Sequence, residues 1–179
     1  VNLGDLTTAK LNTFDASGNT GGVTATIDTA TASVDKITEY VFSAGNDVVT
    51  LDEIAVNTKI TLGAGDDKIN LKASTQTLDK VIDAGTGIDT LAMVAADAVA
   101  VTTGATFENK IDGFEKLSIT DKVATVSVVN LDNLDDINYV ITAGSNATAA
   151  GAAATETGTY TFVALTDGQS ITLAGVTVQ

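Results

Sequence analysis

Three short loops in register constrain this chain more than any other feature. They are Ser43-Ala44-Gly45-Asn46-Asp47, Gly63-Ala64-Gly65-Asp66-Asp67 and Asp83-Ala84-Gly85-Thr86-Gly87. Their central glycines, Gly45, Gly65 and Gly85, recur every 20 residues. A short apolar run precedes each loop (Tyr40-Val41-Phe42, Ile60-Thr61-Leu62, Val81-Ile82). An aspartate leading into a second apolar run follows (Asp47-Val48-Val49, Asp67-Lys68-Ile69, Asp89-Thr90-Leu91). Self-similarity at a fixed period marks an architecture of stacked repeats.

Strand residues advance about 3.3 Å each, so two short strands and two turns return the chain to a point above its start, and successive coils pair about 4.8 Å apart. The loops then stack along one edge. Glycine permits the positive φ of a tight turn with inward carbonyls. Carboxylates beside a column of carbonyl oxygens form an all-oxygen ligand set, which suits Ca²⁺ better than Mg²⁺. Unneutralised, such stacked carboxylates repel one another. The candidate Ca²⁺ ligands are Asp47, Asp66, Asp67, Asp83 and Asp89, with Gly45, Gly63, Gly65 and Gly85. The competing reading makes the loops plain β-turns, in which Gly, Asn and Asp are the commonest residues.

The repeat resembles the RTX nonapeptide, G-G-x-G-x-D-x-U-x with U a large apolar residue, which builds Ca²⁺-binding parallel β-rolls. In Leu62–Asn70, Gly63, Gly65, Asp67 and Ile69 are on pattern and Leu62 replaces the first glycine. In Phe42–Thr50, Gly45, Asp47 and Val49 match. In the third loop only Gly85 does: two extra residues displace the aspartate to Asp89, and Asp83 takes the place of the second glycine. The RTX pattern normally carries calcium on both edges of the roll; here one edge bears it, and few ions are expected.

Composition narrows the function. Nine basic residues, all lysine, stand against 23 acidic ones, for a net charge of −14. Affinity for nucleic acid rests on basic contacts to phosphate, so nucleic acid is not an expected partner. The chain has no Cys and no His. That removes disulfides, thiolate metal sites and the commonest general base. Hydrophobic residues make up 44% and aromatics 4%, so the core must be built from Val, Ile, Leu and Ala, and proline is absent, which suits unbroken sheet ladders. No apolar run reaches the ~20 residues of a membrane span. The chain opens at Val1 with no signal peptide in view, and reads as a processed product or a piece of something longer.

Along the chain, Leu3, Leu6 and Leu11 are spaced apolar positions, and Val23, Ala25 and Ile27 alternate as in a half-buried strand. Residues 29–39 read equally as a short helix or a strand end. Strands are expected near 48–51, 59–62, 68–71, 80–83 and 89–94, with a further strand or strand pair over 95–103 from the alternation at Val99 and Val101. The phrase Ile111-Asp112-Gly113-Phe114-Glu115-Lys116-Leu117-Ser118-Ile119 is similar to a coil that follows the repeats in RTX-type bacterial surface-layer proteins. Phe114, Leu117 and Ile119 would face inward. Glu108 and Glu115 read as a solvated face rather than a catalytic pair. Two β-rich runs flank Asn130–Asn138. That acidic segment suits a capped helical turn with Asn130 or Asp132 as N-cap and Leu131 and Leu134 inward. Residues 143–158 are small, polar and low in complexity, an exposed loop. Two strands joined by Thr166–Ser170 close the chain, with Phe162, Ala164, Ile171 and Leu173 as inward positions.

The expected fold is all-β: a right-handed parallel β-roll or β-solenoid over 1–120, followed by a β-rich C-terminal portion over 121–179. The resemblance implies an exported, non-enzymatic structural protein of the extracellular cell surface, folded by Ca²⁺ and assembling with copies of itself, with cell-surface polysaccharide as a further partner. The alternative is a surface adhesin or ligand-binding module on the same scaffold. An RTX portion of a secreted enzyme is disfavoured, since neither HExxH nor GxSxG occurs.

Overall fold

The computed structural model describes residues 1–6, 12–27, 38–52, 58–72, 82–122, 126–144, 159–163 and 170–173. In chain order the strands are β1 (Asn2–Asp5), β2 (Thr13–Asp15), β3 (Thr24–Ile27), β4 (Glu39–Val41), β5 (Val48–Leu51), β6 (Lys59–Thr61), β7 (Lys68–Leu71), β8 (Ile82–Asp83) and β9 (Thr90–Met93). A helix α1 (Ala95–Val101) and a 3-10 turn (Glu108–Lys110) interrupt them. Then come β10 (Ile111–Asp112), β11 (Lys116–Ile119), β12 (Val126–Asn130), a second 3-10 turn (Leu131–Asn133), β13 (Tyr139–Thr142), β14 (Thr159–Val163) and β15 (Ser170–Leu173).

Odd-numbered strands from β1 to β15 share one sheet, even-numbered strands from β2 to β10 share a second, and β12 and β14 form a separate two-stranded sheet. The first sheet has eight strands in the order β1-β3-β5-β7-β9-β11-β13-β15, and the second has five, β10-β8-β6-β4-β2. Every pairing among the described residues is parallel. This is a β-solenoid, as the period predicts. The eight-stranded sheet runs past residue 120 without a break, through β13 and β15.

Strand alternation explains which side chains meet. In β5 and β7 the second and fourth residues (Val49, Leu51, Ile69, Leu71) are buried and the other two are not. The second sheet contributes Tyr40, Ile60, Ile82 and Ile111 from the middle or start of its strands. Both sets belong to one apolar cluster, so the sheets face each other across a single core. Each fully buried aliphatic side chain there stabilises the fold by about 1.5–3 kcal/mol relative to exposure. Phe14 packs on Tyr40 and Phe42 with ring centroids 6.1 and 5.3 Å away. Val23, Ala25 and Ile27 are buried as expected, whereas Leu3 is 41% exposed on the edge strand β1.

One expectation changes. Residues 95–101 form the helix α1, not a strand. Alanine favours helix, and the buried positions Ala95, Ala98 and Thr102 fall at spacings of three and four, a helical stripe that the Val99 and Val101 alternation masked. The Asp121 carboxylate accepts from Ala95 N–H at 2.6 Å and so anchors the helix start. α1 packs on β12, which among the described residues pairs with β14 in a sheet apart from the five-stranded one. β14 and β15 are strands, as expected, and each belongs to a different sheet, β14 beside β12 and β15 beside β13. The helical turn at 131–133 is as read: Asn130 caps it by accepting from Asp132 N–H, and Leu131 and Leu134 are buried. Residues 29–37 and the 145–158 part of the expected loop lie outside the described residues, as does Leu11. Nothing in the structure bears on the side chains expected inward at 162, 164, 171 and 173.

Candidate functional site: a carboxylate ladder at one corner

The Gly- and Asp-rich loops stack at the corner that leads from the second sheet into the first. Val48 pairs with Lys68 and Lys68 with Thr90, so Asp47, Asp67 and Asp89, each one residue before its strand, lie in a column. All three are at most 1% exposed. Their side chains turn inward along the stack. Val23 N–H donates to Asp47 Oδ1 at 2.6 Å. Asp47 N–H donates to Asp67 Oδ1 and Asp67 N–H to Asp89 Oδ1, both at 2.7 Å. Asp89 N–H in turn donates to Glu115 Oε2 at 2.7 Å. Each coil thus hands a backbone N–H to a carboxylate of the next. A buried N–H without a partner costs about 1–3 kcal/mol, so the ladder satisfies donors that the bend in the chain takes out of the sheet.

An outer ladder runs alongside in the opposite direction: Asp66 N–H donates to Asn46 Oδ1 and Ile88 N–H to Asp66 Oδ1, each at 3.0 Å. Coil on coil, the backbone is too close for side chains. A Cβ on Gly85, whose φ is +94°, would overlap the Gly63 carbonyl, and one on Gly87 would overlap that of Gly65. A Cβ on Gly45 would come within 2.7 Å of Thr20 O and Gly22 N.

These contacts correct the spacing read from the sequence. Gly85 stacks on Gly63, not Gly65, and the partner of Gly65 is Gly87. Thr61 pairs with Asp83 and Ala64 bridges Thr86. The aspartate that seemed displaced, Asp89, is therefore in its regular place, and the ladder separations are 24, 20, 22 and 26 residues. The two extra residues precede the loop. Asp83 is not in the column: it sits on the outward row of β8, beside Asp112 on β10. Of the nine candidates, Asp47, Asp67 and Asp89 share the inner ladder, Asp66 the outer one, and Gly45, Gly63, Gly65 and Gly85 the stacked turns.

Three participants were not expected. Ser43 closes the first corner: its N–H reaches Asp47 Oδ2 at 2.9 Å and its hydroxyl reaches Oδ1 at 2.6 Å. Glu115 is a rung, not simply a solvated side chain. The signal was its place just before an alternating strand, as in Ile88-Asp89-Thr90-Leu91 against Phe114-Glu115-Lys116-Leu117. Asp135 extends the pattern by accepting from Phe114 N–H at 2.8 Å.

The next two corners have glycine, Gly63 and Gly85, where the first has Ser43. There the second carboxylate oxygens, Asp67 Oδ2 and Asp89 Oδ2, are buried with no hydrogen-bond partner. Burial pushes the Asp67 carboxyl up to about 7, with the neighbouring charges of Asp47, Asp89 and Asp66 adding to the rise and the hydrogen bond from Asp47 N–H opposing it. Asp89 is raised to about 6, again chiefly by burial. Burial also raises Asp135. Ca²⁺ takes six to eight oxygens. Among the described residues no three acidic side chains converge to hold a metal, and each ladder aspartate already gives one oxygen to a backbone N–H. The acidic side chains alone therefore do not form a calcium cage; the two spare oxygens are the part of the column left to accept a proton or a cation.

No family model matches this chain, and neither curated proteins nor solved structures provide a match.

Proposed function

We propose that this chain is a structural component of an extracellular cell-surface layer, stabilised by calcium and assembling with copies of itself. The observation that carries this reading is the column running from Val23 through Asp47, Asp67 and Asp89 to Glu115, which ties coil to coil by backbone-to-carboxylate bonds. Such a stack is quasi-one-dimensional, each coil resting on its neighbours, and its repeated outward rows offer surfaces for side-by-side association. The unpartnered oxygens of Asp67 and Asp89 support the calcium part of the reading, since a cation supplies the positive charge that the protein leaves out. A ligand that binds only the folded coils adds RT ln(1 + [L]/Kd) of stability. Calcium-rich surroundings then favour the folded rod.

The test is a calcium titration of the EDTA-stripped protein, followed by far-UV circular dichroism and light scattering together. A rise in β signal between micromolar and millimolar Ca²⁺ that Asp67→Asn weakens, with scattering growing in step, is the expected result. A spectrum already β-rich in EDTA and unmoved by calcium would leave the loops as plain turns and sink the calcium part.

A further inference from the structure

Charge is divided between the two flanks of the solenoid. The inward residues of both sheets share one core, so the outward rows look in opposite directions. On the eight-stranded sheet one outward row runs in register from Thr24 through Val48, Lys68, Thr90 and Lys116 to Tyr139. From β3 to β13 neither outward row of that sheet contains a carboxylate, and Lys68 and Lys116 are its charged members. On the five-stranded sheet the outward row places Asp15, Asp83 and Asp112 in register with Val41 and Thr61. Among the described strand residues of that sheet the one cation is Lys59, 3.8 Å from Glu39 and balanced by it. Asp83 and Asp112 occupy adjacent parallel strands, about 4.8 Å apart along the stack, where like charges repel.

A chain of net charge −14 repels its own copies in most orientations. One orientation reduces this: the flank that carries Lys68 and Lys116, where Asp52 is neutralised by Lys72 at 2.6 Å and the remaining acid, Asp5, lies on the edge strand β1, against the aspartate-bearing flank. We propose that the outer face of the eight-stranded sheet docks on the outer face of the five-stranded sheet of a second copy of this chain. The contact joins two different surfaces, so each added copy exposes the same pair again, and the association grows as an open row instead of closing into a dimer. This rests on the self-assembly reading above and supplies its surfaces. Lys68 and Lys116 supply the positive charge that faces Asp83 and Asp112, and Thr24, Val48 and Tyr139 add contact area.

Sedimentation velocity and electron microscopy of the full chain over a range of concentrations, with and without Ca²⁺, test it. The variants are Lys68→Glu with Lys116→Glu, Asp83→Lys with Asp112→Lys, and the equimolar mixture of the two. All four positions are on outward rows, so circular dichroism should match the parent. Each double variant alone should associate at least about tenfold more weakly, and the mixture, which restores opposite charge at every contact, should recover growth. Association of the parent should also weaken at about 0.5 M salt, where the screening length falls to a few ångströms. A parent that assembles while both double variants assemble equally well overturns the assignment of surfaces and leaves self-assembly standing. A parent that stays monomeric throughout overturns both, and its retention on an acidic polysaccharide through Lys68 and Lys116 would give that flank to a glycan.

Discussion

The backbone N–H of Asp67 donates to the carboxylate of Asp89 at 2.7 Å, across a chain separation of 22 residues. The Asp67 carboxylate accepts from Asp47 N–H at the same distance. Each of the three ladder aspartates is therefore both donor and acceptor. The column is a property of the stack, since no coil can complete its own corner. It also concentrates negative charge in a site that water does not reach, and stability and ion response both follow from that tension.

Asp67→Ala removes the acceptor for Asp47 N–H and leaves a buried donor unpaired. Chemical denaturation should show a loss of about 1–3 kcal/mol. Asp67→Asn keeps an oxygen for that bond and removes the buried charge. In EDTA it should be clearly more stable than Asp67→Ala, and its calcium response should be blunted. Equal losses for both substitutions would mean that the charge, not the acceptor, matters.

Stability should depend on pH in a definite direction. The folded-state values of Asp67 and Asp89, about 7 and about 6, lie above the ordinary 3.8. Between those limits the native state holds more protons than the unfolded chain, so the contribution is full below about pH 4 and is lost as pH rises through 6 to 7. In EDTA the urea midpoint should fall from pH 5 to pH 8. The Asp67→Asn variant should flatten that fall. A midpoint that rises over the same interval would contradict the burial of these carboxylates.

Gly85→Ala places a Cβ into the Gly63 carbonyl at a φ of +94°. Strain of this kind costs about 1–3 kcal/mol before the overlap is counted, so the melting temperature should drop sharply. Gly104→Ala is the control. A Cβ there meets nothing within 4 Å, and its effect should stay within about 0.5 kcal/mol.

Glu115 ends the inner ladder with a longer arm than aspartate. Glu115→Gln should be nearly neutral, since an amide oxygen still accepts from Asp89 N–H. Glu115→Ala should destabilise at the lower end of about 1–3 kcal/mol, because the bond is only partly buried. Thermal denaturation of the pair separates these outcomes.

Much of this architecture is written locally. Alternation at Val23, Ala25 and Ile27 and at Val49 and Leu51 marks a face that must be buried, and a period near 20 residues marks a chain returning on itself. Both are one-dimensional signals, and the solenoid follows from them. The helix at 95–101 was misread because a short apolar run such as Val99-Ala100-Val101 fits either period, and only packing on β12 decides between them. The register of the third loop was also hidden, since Gly85 resembles the centre of the earlier loops when read alone. Three-dimensional stacking assigns it to Gly63, because two carbonyl columns must pass without a Cβ between them. Residue types alone thus determined a parallel stack with Gly- and Asp-rich corners. Only the tertiary structure decided where those aspartates point, because an inward turn is favourable only when the next coil presents a buried N–H at hydrogen-bonding distance.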